Sequence, residues 1–71
     1  MDREPPKYTE KLKPMSKWKH LKSGNIYVVI GNCFIESTCT QAVLYASDNI
    51  DADSVAWVRP LTEWKEKFEP I

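Results

Sequence analysis

From Lys17 the side chains alternate with a period of two: Trp18, His20 and Lys22 on one side, Lys19 and Leu21 on the other. That period predicts a strand. Ser23-Gly24-Asn25 is turn chemistry, because glycine accepts positive φ without steric cost. The run Ile26-Tyr27-Val28-Val29-Ile30 is β-branched and aromatic almost throughout, which predicts a well-buried second strand. Gly31 inside that pattern predicts a bulge or bend, with Cys33 to Ile35 continuing beyond it. Glu36-Ser37-Thr38 reads as a polar connection, and Gln41 to Ala46 as a third strand. Ser47 to Ser54, rich in Asp and Asn, reads as the longest polar loop. Val55 to Arg59 then forms a strand that Pro60, lacking a backbone donor, brings to an end. Leu61, Trp64 and Phe68 follow at spacings of three and four, the face of a short helix capped by Thr62. Glu69-Pro70-Ile71 adds a last extended piece.

The implied fold is mainly β: a small curled antiparallel sheet, or an SH3-like barrel, of four to five strands with a short C-terminal helical turn. Residues 1–16 lack a steady apolar period and carry Pro5, Pro6 and Pro14, so they read as a basic arm ahead of a β domain at 17–71. A helical turn around Tyr8 to Leu12, with Thr9 as its cap and Pro14 as its stop, is expected in that arm.

Seventy-one residues allow one domain. Chains of this size bury only about 60% of their unfolded surface, so each ring among the three Trp, three Tyr and two Phe counts heavily. No apolar run reaches ~18 residues, and no apolar segment follows the N-terminal charges. The expectation is a cytoplasmic protein with no membrane association. Formal net charge is zero, but unevenly laid out. Met1 to Lys22 holds seven basic side chains against Asp2, Glu4 and Glu10, whereas Ser23 to Val58 has no Lys or Arg and four acidic residues. Such an arm can steer a polyanion, rest on the chain's own acidic loop, or be solvated.

Candidate chemistry is sparse. Arg59 has a planar fork suited to a carboxylate or phosphate, and Trp57 two positions earlier shares its sheet face, so the pair can clamp an anionic or planar ligand. Equally, Arg59 can stack on a ring and pair with Glu36 or an Asp, and Trp57 can fill core. His20 is the only histidine, with no second one at metal spacing and no recognisable nucleophile beside it. It joins Trp18 and Tyr27 as a binding candidate, against a packing role. Cys33 and Cys39 are read as buried or half-buried thiols rather than a disulfide, and a closed zinc site would lack a fourth nitrogen or sulfur ligand. Asp48, Asp51 and Asp53 evoke a calcium loop but lack its glycine and closing glutamate. No metal or cofactor is expected. Lys11, Lys13, Lys17, Lys19 and Lys22, interleaved with Tyr8 and Trp18, form the feature that resembles a single-strand nucleic-acid surface.

The series Trp18-Lys19-His20-Leu21-Lys22-Ser23-Gly24, Tyr27-x-Val29-Ile30-Gly31, Val43-x-Tyr45 and Trp57-Val58-Arg59-Pro60-Leu61 resembles a short uncharacterised domain family of bacteria and their phages. Trp64 and the Phe68-Glu69-Pro70 ending extend the resemblance, which covers about Trp18 to Pro70. It implies a small barrel-like β domain and no established reaction. The arm before Trp18 and the loop Ser47 to Ser54 are longer than the family's pattern, and Val28 stands where a charged residue is common. From the residues, the expectation is a non-enzymatic binding or adaptor protein, and the resemblance implies a phage or prophage product. Its partner would be another macromolecule, a protein first, met through the Trp57/Arg59 face or the basic arm. The competing expectation is a nucleic-acid accessory protein using the lysine arm. Both a monomer and a homodimer are compatible with the sequence.

Overall fold

The computed structural model describes residues 7–48 and 55–71. Five strands form one antiparallel sheet: β1 (Lys17–His20), β2 (Ile26–Ile35), β3 (Thr40–Ser47), β4 (Trp57–Pro60) and β5 (Phe68–Pro70). A helix, α1 (Leu61–Lys67), joins the last two. The spatial order is β4-β3-β2-β1-β5. Consecutive strands β1 to β4 are neighbours, as short connections dictate. The chain then passes through α1 from one edge of the sheet to the other, where Phe68 pairs with His20 and Pro70 with Trp18. The two edge strands do not pair with each other, so the sheet stays open. The curled-sheet form is the one adopted, and a closed SH3-like barrel is not.

Register follows the apolar pattern. Val29 opposes Tyr45, and the ladder shifts by one residue before Gly31 opposes Leu44. The bulge therefore falls where the glycine breaks the strand pattern. It keeps the core face continuous, with Asn32 opposite Val43 beyond the shift. Gly24 closes the β1–β2 turn at φ 78°, donating its N–H to the His20 carbonyl at 2.7 Å. A side chain there would be forced into a left-handed backbone.

The core lies on one face, under α1: Leu12, Val29, Val43, Tyr45, Leu61, Trp64 and Phe68, with Trp18 and Tyr27 packed against it. Leu61 and Trp64 face inward from the helix, as their spacing predicts. The helix starts directly from β4, with Pro60 as its N-cap and no side-chain cap bond. Thr62 thus lies inside the helix rather than capping it, because the strand delivers Pro60 already at the boundary. Pro60 also remains in the ladder, opposite Ala42, instead of ending it one residue earlier.

Residues 7–16 contain no helix; they run extended across the core face. The turn expected from Tyr8 to Leu12 gives way to tertiary bonds. Asn32 clamps Leu12, its Oδ1 accepting the Leu12 N–H and its Nδ2 donating to the Leu12 carbonyl, both at 2.9 Å. The Tyr8 hydroxyl donates to the Asn32 carbonyl at 2.9 Å, and Tyr8 packs on Phe34. Lys65 reaches Glu10 at 2.8 Å. Leu12 is thereby buried to 6% exposure, a core residue contributed by the arm. Met1 to Pro6, and Asp51 and Asp53 of the calcium-like loop, lie outside the described residues.

Candidate functional site

The β4 edge and the residues beside it form the most developed surface. Because side chains alternate, Trp57 and Arg59 emerge on the helix side of the sheet, opposite Tyr45 and Val43 respectively. Together with Tyr27 and Tyr45 they line an open recess of about 260 Å³. Arg59 is its only charged residue among the described residues. Its Nε donates to the Tyr45 hydroxyl at 3.3 Å, its Nη1 lies 3.5 Å from Glu63, and its guanidinium sits 5.5 Å from the centre of the Phe68 ring. The carboxylate partner is Glu63, one helical turn on, not Glu36 or an Asp. That contact anchors Arg59 without sealing it, since its side chain keeps 28% exposure. Trp57 is not core filling: it is 55% exposed, on the edge strand β4. Val55 and Val58 beside it are 58% and 52% exposed.

The other candidates disperse. Tyr27 meets the recess and also the rings of Tyr45 and Phe68, edge-on at 5.5 and 5.6 Å. His20 touches Phe68 at 4.9 Å but opens into a different recess, with Leu21, Lys22, Glu66 and Lys67. Its Nδ1 lies 2.8 Å from the Ser23 hydroxyl, a neighbour the sequence did not mark as reactive. The Ser23 N–H also points at Nδ1, and the Asn25 N–H donates to the Ser23 oxygen at 3.2 Å. This is the bonding of a turn, in which His20 and Ser23 hold the chain reversal. Trp18 donates from Nε1 to the Ser16 hydroxyl at 3.0 Å and meets Trp64 edge-on at 5.6 Å, on the far side of the core from β4. Of the five candidates, then, Tyr27, Trp57 and Arg59 come together, while His20 and Trp18 serve elsewhere.

Lys13 links two parts of the lysine series, lining one recess with Lys11 and Tyr8 and another with Lys17 and Trp18. Lys17 lies 3.6 Å from Asp48 and Lys19 3.5 Å from Glu69. Lys11 is held 5.1 Å above the Tyr8 ring, and it shares a groove with Lys13. Lys22 belongs to the His20 recess.

Cys33 is half-buried, and burial pushes its thiol up from the ordinary value; Cys39 is exposed, and the two are not bridged. The expectation that both thiols are at least half-buried fails at Cys39, which sits at φ 54° in the exposed β2–β3 turn. Sequence reasoning missed Tyr45 as a site residue. Its signal was present, since Val43-x-Tyr45 places it on the inward face, but the partner strand was needed to show that it meets Arg59. Among the described residues no helix is long and apolar enough to cross a membrane.

The fold and this surface define a small open-sheet domain with an apolar edge. No family model, curated protein or solved structure matches the chain. The resemblance carried by Trp57-Val58-Arg59-Pro60 therefore rests on its own residues.

Proposed function

We propose that this chain is a small non-enzymatic binding module that recognises a protein partner along β4. The observation that carries the reading is the exposure of Trp57 and Val58, each above half, on a strand whose outer edge pairs with no described strand, with Val55 exposed just ahead of it. An unpaired edge offers main-chain donors and acceptors for an added strand, and the neighbouring recess offers a pocket for alternate side chains. Trp and Arg are the residue types that dominate protein interfaces. The pairing of Lys17 with Asp48 and of Lys19 with Glu69 weighs against the nucleic-acid alternative, because it offsets positive charge that a phosphate-tracking surface needs.

The test is a titration of isotope-labelled protein followed by NMR. Peptides selected from a displayed random library on the immobilised protein should shift the resonances of Tyr27, Tyr45 and Trp57 to Arg59, and Trp57→Ser should weaken them at least about tenfold. The reading is overturned if selection yields no binder. It is equally overturned if a single-stranded oligonucleotide at low salt shifts Lys11, Lys13 and Lys22 while β4 stays silent.

A further inference from the structure

We infer that the strand docking on β4 is β4 of a second copy of this chain, antiparallel about a twofold axis through Val58. This inference rests on the proposed recognition edge and names its occupant.

Backbone chemistry fixes which groups point outward. Pro60 sits in the ladder opposite Ala42, yet it has no N–H to give. A proline enters a ladder only where its nitrogen faces the open edge. The inward-bonding residues are therefore Arg59 and Trp57, opposite Val43 and Tyr45, and by alternation the N–H and C=O of Val58 face outward. Two copies centred on Val58 exchange those groups in a narrow, hydrogen-bonded pair. Pro60 then lies opposite Ala56 at the end of the pairing, where its missing donor costs least.

Side chains agree with the same register. Residues directly opposite in an antiparallel pair share a face, so Trp57 of each copy lies across from Arg59 of the other. Arg59 already rests one face of its guanidinium near Phe68. Its other face accepts the second copy's indole, giving a reciprocal cation–π pair. On the opposite sheet face Val58 meets Val58. Any other occupant would have to supply an aromatic residue opposite Arg59 and a cation opposite Trp57; this strand supplies both to itself. Zero formal net charge leaves two copies without long-range repulsion.

The opposite edge of the sheet makes the contrast. β5 is three residues long, carries Pro70, and holds Glu69 in a contact with Lys19. Those are devices that keep an edge from pairing. β4 has only its terminal proline, and the register above accommodates it.

A self-opposed residue gives a sharp test, read by sedimentation equilibrium up to about 1 mM protein. The wild-type mass should rise from 8.2 kDa toward twice that value. Val58→Lys and Val58→Glu should each stay monomeric, because like charges then oppose each other, whereas their equimolar mixture should recover the dimer. Val58 is exposed in the single chain, so both variants should keep the wild-type circular dichroism, and recovery on mixing independently reports that they fold. A wild type monomeric throughout, while selected peptides still shift β4, overturns the second-copy occupant and leaves the recognition reading standing. A dimer that survives Val58→Lys, or a mixture that stays monomeric, overturns the twofold register.

Discussion

Asn32→Ala tests whether the N-terminal arm is part of the folded unit. The substitution removes two hydrogen bonds of 2.9 Å that hold the main chain of Leu12 to the sheet. Each half-buried bond contributes about 0.5–1.5 kcal/mol net, so their loss costs about 1–3 kcal/mol. If the arm then lifts, Leu12 leaves a core in which it is 6% exposed, forfeiting up to about 1.5–3 kcal/mol more. A central value near 2 kcal/mol corresponds to a fall in Tm of about 8–16 °C for a domain of this size. Leu12→Ala alone should cost about 2–5 kcal/mol. Because one clamp serves both residues, the double variant should cost less than the sum by at least about 1 kcal/mol. Urea unfolding followed by circular dichroism measures all four corners of the cycle. A cost below about 0.5 kcal/mol for Asn32→Ala, or strict additivity, would show that the arm is a loose appendage and refute the reasoning.

Trp64 is fully buried, and its Nε1 has no hydrogen-bond partner among the described residues. Trp64→Phe therefore removes an orphaned donor worth about 1–3 kcal/mol against some lost ring area, and should change stability by no more than about 1 kcal/mol in chemical denaturation. Trp64→Ala should cost about 3–5 kcal/mol by the same measurement, since it also empties the stack on Phe68. Alkylation mapped by mass spectrometry should label exposed Cys39 well before half-buried Cys33. Because burial favours the protonated Cys33 thiol, the stability it contributes is full below the ordinary thiol value and falls as pH rises through the folded-state value. Cys33→Ala should flatten that alkaline decline in pH-dependent unfolding.

The body of the sheet was legible because its signals are local. The period of two marked β1, the run of β-branched and aromatic residues marked β2, the glycine marked the bulge, and the spacing of Leu61 and Trp64 marked the buried face of α1, whereas Phe68, expected on that face, opens β5 instead. What escaped the sequence depends on contacts between distant residues. Leu12 has no periodic neighbours, so nothing local says that Asn32, twenty residues on, will hold it. The arm's extended path follows from that clamp and not from helix propensity. Trp57 read as core filling because an indole in a strand usually is, but its exposure depends on strand order. β4 falls at an edge, and the buried indole of the core is Trp64 of α1. The Arg59 partner was likewise hidden, since the i, i+4 relation to Glu63 crosses from a strand into a helix.

The exposure of Trp57 bears on why the edge has the residues it has. A fold of this size needs large rings inside, and here Trp64, Phe68, Tyr45 and Tyr27 meet that need. Trp57 adds little to the core, and exposing an indole beside two exposed valines leaves apolar surface in water, a cost that grows with area. Stability alone would be served by polar residues at positions 55, 57 and 58, and an unpaired edge would be safer with a lysine. The strand carries the opposite pattern, and its one charge lies where an opposing indole can cover it. Folding accounts for Pro60, which opens the helix, and for the Arg59 contacts with Tyr45 and Glu63. It does not account for Trp57 and Val58, which the proposed pairing with a strand from outside the chain would explain.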